Sequence, residues 1–89
     1  MALSKVVVVD KIEVLELGQI QVRTATRVME DGVQLSSSFH RHVVDPSVKK
    51  NGTWGDTDIS GEDVRVQAIA TATWTSAVKT AYQENQDAA

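Results

Sequence analysis

Residues 19–44 read QIQVRTATRVME-DG-VQLSSSFHRHVV, two alternating segments on either side of Asp31-Gly32. A two-residue type I′ turn needs positive φ at both central positions, and Asp-Gly meets that need, so the pair closes a hairpin. Such a turn sets Glu30 opposite Val33, Val28 opposite Leu35, Thr24 opposite Phe39 and Ile20 opposite Val43. Arg41 is then the misfit, because alternation places it on the apolar face opposite Val22. A bulge near the histidines is expected to relieve it.

Upstream, Lys5 to Leu15 is rich in β-branched residues and forms a preceding strand. Glu16-Leu17-Gly18 fits a three-residue loop with Gly18 left-handed, which sets Val14 opposite Ile20, Ile12 opposite Val22 and Val6 opposite Val28. Both turns then place Val6, Val8, Ile12, Val14, Ile20, Val22, Val28, Leu35, Phe39 and Val43 on one face of a three-stranded antiparallel meander. Agreement between two turn rules is stronger than either alone.

Downstream, Asp45-Pro46 ends the third strand, and residues 45–59 read as a loop with an Asn51-Gly52 turn. Loops of that length in a compact domain are commonly functional or ordered by a partner. Ser60 is the expected N-cap of a helix, with Glu62 and Asp63 in its first turn. Val66, Ile69, Ala70, Thr73, Ala77 and Ala81 make a stripe at helical spacing. The threonines from Thr71 to Thr75 weaken its centre, so the segment is one helix or breaks near Trp74 with Thr75 recapping a second. The chain from Asn85 is expected to fray. The fold class is α+β: one domain over 1–89, with a β-meander over 4–44, a loop over 45–59 and helical structure, one helix or a pair, over 60–85.

The inventory narrows function more than it identifies it. A domain of 89 residues has a thin core, whose net stability without added staples is often about 3–5 kcal/mol. The lack of cysteine excludes disulfides and thiolate metal sites. Nine basic against twelve acidic side chains give a net charge of −3, which opposes phosphate-neutralising nucleic-acid binding. Residues 1–44 carry five charges of each sign, so the whole excess lies in residues 45–89. The run Val6 to Val9 is far shorter than the roughly 20 apolar residues of a membrane span. No nucleic-acid or membrane partner is expected. Asn51-Gly52-Thr53 matches a glycosylation acceptor, but a turn explains it better.

His40 and His42 project from one side of a strand, away from the expected helix layer, and are the candidate metal ligands. A site built on them needs further carboxylates or histidines from symmetry-related copies. Ser36, Ser37 and Ser38 precede them without a strained turn, an oxyanion hole or an orienting group, so no catalytic set is assigned and no cofactor is expected. Arg23 and Arg27, with Gln19, Gln21 and Met29, occupy the second face of the sheet beside Val7, Val9 and Leu15. That mixed face, with Trp54 in the loop, makes Arg23, Arg27, Met29 and Trp54 the candidate interface residues.

The strings Asp10-Lys11-Ile12-Glu13-Val14-Leu15-Glu16, Ile20-Gln21-Val22-Arg23, Glu30-Asp31-Gly32 and Phe39-His40-Arg41-His42-Val43 resemble a group of small tailed-bacteriophage proteins, chiefly from phages of aquatic bacteria. Residues 61–70 with Trp74-Thr75 and Ala81-Tyr82 fit the same pattern, whereas residues 47–54 do not match it. The resemblance implies a non-enzymatic virion structural protein of the tail, baseplate or fibre attachment, assembled in the host cytoplasm with other virion proteins as a homo- or hetero-oligomer. It carries over no catalytic residue. The alternatives are a small intracellular phage accessory protein that binds a host protein, and a metal-staked spike tip with the two histidines facing inward in a trimer.

Overall fold

A computed structural model describes residues 2–89. Among these residues the order is β1 (Leu3–Val14), β2 (Ile20–Glu30), β3 (Val33–Val44), β4 (Ser47–Lys50), β5 (Thr53–Asp56), α1 (Val64–Thr73) and α2 (Ser76–Ala88). The first three strands form an antiparallel sheet in the order β1-β2-β3, and β4-β5 form a separate hairpin. The protein is α+β.

Both expected turns close the meander. Asp31 and Gly32 have φ of 49° and 81°, as a type I′ turn requires. Leu15 N–H donates to Gln19 O and Gly18 N–H to Leu15 O, so Gly18, at φ 89°, completes a three-residue loop. Val14 faces Ile20, Ile12 faces Val22 and Glu30 faces Val33 as expected.

The register departs from expectation beyond two bulges. In β1, Lys11 pairs with Arg23 but Val9 with Thr24, so Asp10 is an extra residue and Val6 faces Arg27 rather than Val28. In β3, Gln34 pairs with Met29 but Ser36 with Val28, leaving Leu35 over. The second bulge thus sits beside the turn, not near the histidines. Because side chains alternate with period two, each extra residue exchanges the faces of everything beyond it. Val9 and Val7 join Ile12, Ile20 and Val22 on the helix side, and Val6 and Val8 move to the outer face. Likewise Phe39, Arg41 and Val43 turn outward opposite Ala25, Arg23 and Gln21, while His40, His42 and Val44 turn toward the helices. Arg41 is therefore no misfit.

The segment expected as a loop is mostly the β4-β5 hairpin, with Asn51 at φ 52° and Gly52 at φ 79° in its turn. Strands of only four residues, Ser47–Lys50 and Thr53–Asp56, are too short to show a period in the sequence. Helix α1 starts later than expected: Asp63, not Ser60, is its N-cap and accepts from Arg65 N–H. Ser60 N–H instead donates to Asp58 Oδ1, a local turn that displaces the helix start. The chain breaks at Trp74, and the Thr75 hydroxyl caps α2 through Val78 N–H. That break resets the helical phase, so Val78 and Tyr82 point inward in place of Ala77 and Ala81. The helix also runs on to Ala88 instead of fraying from Asn85.

The core is small and off-centre. Ile20, Val22, Val44, Val66 and Ala70 are buried together, with Val9, Ile12, Ile59, Ile69 and Trp74 packed around them. Gly18 is pinned into it: Trp74 Nε1–H donates to Gly18 O at 2.7 Å. A Cβ at Gly18 would stand 2.6 Å from Val78 Cγ1 and 3.1 Å from Pro46 Cγ. Loop, hairpin base and both helices therefore meet at one glycine.

Candidate assembly surface

The helices cover only the end of the sheet nearest the Gly18 loop. Past Val9, Thr24 and His40 the three strands run on together as an arm, without a packing layer on either face among the described residues. The molecule consequently measures 55 × 23 × 22 Å, with a radius of gyration of 16.8 Å, where a compact chain of this length has about 12 Å. Large apolar side chains stand in the open along this arm: Leu3 is 66 % exposed, Val33 63 %, Val7 62 %, Leu35 56 % and Phe39 48 %. Single exposed apolar residues are ordinary, but five large ones spread over both faces of one uncovered sheet make the arm a candidate contact surface.

The predicted interface residues divide between this arm and the rest of the chain. Arg27 and Met29 lie half-buried on the arm's outer face, next to Ala25, which is fully buried between its pairing partners Val8 and Phe39. Arg23, at the arm's root, is engaged within the chain: its Nε and Nη2 donate to Asp10 Oδ1 and Oδ2 at 2.9 and 2.8 Å, and its guanidinium lies 4.4 Å from the Phe39 ring centroid. The hydrogen bonds from Arg23 hold the Asp10 carboxyl below its ordinary range against the opposing effect of burial. This bidentate pair also explains the bulge, because the extra residue is the one whose carboxylate reaches back across to β2.

Trp54 is remote from these three and has an internal role the sequence pattern hid. Its ring meets Tyr82 edge-on at 5.9 Å and its Nε1–H donates to Asp87 Oδ2 at 3.1 Å. Lys49 Nζ reaches Asp87 Oδ1 at 2.8 Å, and Gln83 Nε2 donates to the buried Ser47 Oγ at 3.0 Å. The hairpin is thus strapped to α2. Donation from Lys49, then Trp54, depresses the Asp87 carboxyl. Burial raises the Tyr82 phenol, assisted by nearby Asp45.

His42 faces the helix side rather than away from it, a direct result of the Leu35 bulge. Its Nε2 lies 2.7 Å from Glu62 Oε1, and the His40 ring stacks beside it with centroids 6.4 Å apart. The His42–Glu62 contact ties β3 to the segment before α1, and among the described residues no set of three potential metal ligands converges. Arg65 makes a matching tie on the opposite edge, donating from Nη2 to Val9 O. On the outer face, Lys11, Glu13, Gln21, Arg23, Arg41 and Val43 line a shallow depression of about 170 Å³. Two of its three cations, Lys11 and Arg23, already hold Glu13 and Asp10.

Comparison with protein-family models, curated proteins and solved structures returns no match. No helix among the described residues is long and apolar enough to cross a membrane.

Proposed function

We propose that this chain is a non-enzymatic structural protein of a tailed-phage virion, at the tail, baseplate or fibre attachment, that works by protein-protein assembly. The observation carrying the assembly reading is the uncovered arm: a well-paired sheet that continues past its helix layer with apolar side chains on both faces. Several polar groups with chemical potential are engaged in holding the chain together, Asp10 with Arg23, His42 with Glu62 and Asp87 with Lys49. The phage assignment rests on the resemblance of the strings over residues 10–43 and 61–82 to small tailed-phage proteins. Its neighbours would be other virion proteins.

Quantitative mass spectrometry of purified particles of the encoding phage tests this reading. A fixed, integral copy number per particle is the expected result. Absence from particles, together with co-purification of one host protein from infected cells, would instead make the chain an accessory factor.

A further inference from the structure

Resting on that assembly reading, we infer that the partner of the arm is a second copy of this chain, joined through the uncharged edge of β3 at Val33–His40. Three features of the molecule converge on it. The first is area. A compact protein of 9.7 kDa exposes about 5,100 Å², whereas this chain exposes 5982 Å². The surplus, roughly 850 Å², matches the share of about 800 Å² that one partner contributes to a standard stable interface.

The second is charge. The arm, taken as residues 3–9 and 24–40, carries two cations, Lys5 and Arg27, and two carboxylates, Glu30 and Asp31, and is neutral. The whole chain's net charge of −3 therefore resides in the rest of the molecule, around the core. Two identical arms meet without like-charge repulsion, and the negative parts stay at the far ends of a 55 Å molecule. A two-fold contact requires a self-complementary patch of this kind.

The third is the contrast between the two edges. Natural sheets protect edge strands with lysine, proline and bulges. The β1 edge has Lys5, and the Asp10 bulge followed by Lys11. The β3 edge from Val33 to His40 has no Lys, Arg, Asp, Glu or Pro, and its single bulge at Leu35 lies beside the turn. Along Ser36-Ser37-Ser38 the backbone groups that do not bond β2, those of alternate residues, point outward at the sheet edge and can pair with the same strand of another copy. Small hydroxylated side chains let the two edges approach closely, with Leu35 and Phe39 flanking the contact.

The test is the mass of the full chain by light scattering after size exclusion, across a micromolar concentration series, for wild type, Ser37→Lys, Leu35→Lys and Ala81→Lys. Ser37 and Leu35 are exposed on the β3 edge, while Ala81 is exposed on α2. Wild type and Ala81→Lys are expected at twice the chain mass. Ser37→Lys and Leu35→Lys are expected at the single-chain mass with unchanged circular dichroism, the dissociation constant rising about a hundredfold because a symmetric contact receives two new charges. Ser37→Lys guards against misfolding of the other arm variant, since its side chain makes no internal hydrogen bond. A wild-type chain that stays monomeric, or dimers equally tight in Ser37→Lys and Leu35→Lys, overturns self-pairing. Loss of the dimer in Ala81→Lys overturns it as well. A monomer that is nonetheless counted in virions refutes the self-pairing and leaves the assembly reading standing, so the two failures are distinguishable.

Discussion

The body around Gly18 and the arm beyond Val9 are made from the same three strands, yet they are held by different means. In the body each strand carries something besides its ladder: Ile20 and Val22 pack on Val66 and Ala70, His42 meets Glu62, and the Val9 carbonyl accepts from Arg65. In the arm the ladder is the principal support, and its apolar residues face outward. A sheet needs a hydrophobic face to bury, so the body is complete in one chain, whereas the arm leaves its apolar side chains uncovered. If the arm is the assembly surface proposed above, stability and association are written in separate parts of one sheet.

The sharpest way to break this division is Gly18→Ala. It forces a Cβ into Val78 and Pro46 at a left-handed position, costing about 2–4 kcal/mol, most of what a domain this small has to lose. Urea unfolding is expected to show it as a large fall in midpoint. Val66→Ala, at a fully buried site, should cost about 2 kcal/mol by the same measurement. An arm pair such as Val7→Thr and Leu35→Gln should leave the isolated chain within about 0.5 kcal/mol of wild type, while weakening association. If the arm variants unfold the chain as the core variants do, the division is wrong.

Acid should act through two depressed carboxyls, one at the root of the arm and one on α2. Asp10 and Asp87 have folded values below the ordinary 3.8, so their contribution is fully present above that value and is lost as pH falls through the lowered ones. Acid unfolding followed by circular dichroism is expected to begin below about pH 4, and to be less steep in Asp10→Asn and Asp87→Asn. Tyr82 acts oppositely: its raised phenol stabilises the fold below the ordinary value of 10.0, and that contribution is lost as pH rises through the folded value. The smallest expected effect is on amide exchange. Under conditions that keep the chain monomeric, Ser36 to Phe39 should exchange faster than Ile20 to Val22.

Turn chemistry made the architecture legible in the sequence, while the faces stayed hidden. Asp31-Gly32, Gly18 and the threonine-weakened break before Thr75 each act locally, so the residues themselves announce them. The bulges do not. Val6 to Val9 has no alternation to specify register, and Ser36 to Ser38 is equally indifferent to which side faces the helices. The one-residue slips at Asp10 and Leu35 therefore passed unseen, and with them the sides taken by Phe39, His40 and His42. Arg27 and Met29 keep the outer face that alternation gives them because β2 carries no bulge of its own, whereas Leu35, read as a core-face residue, is the bulge itself. The internal role of Trp54 is hidden in the sequence because its partners, Tyr82 and Asp87, lie some thirty residues away.

Both tryptophans sit in the body, Trp74 on the Gly18 carbonyl and Trp54 against Tyr82, and the arm, as described, has Phe39 but no Trp or Tyr. The molecule therefore carries its own pair of fluorophores at the two joints that hold it folded and none along the uncovered arm. Emission from Trp54 and Trp74 will follow unfolding while staying nearly silent to contacts made through the arm, so folding and association can be followed in one sample without a label.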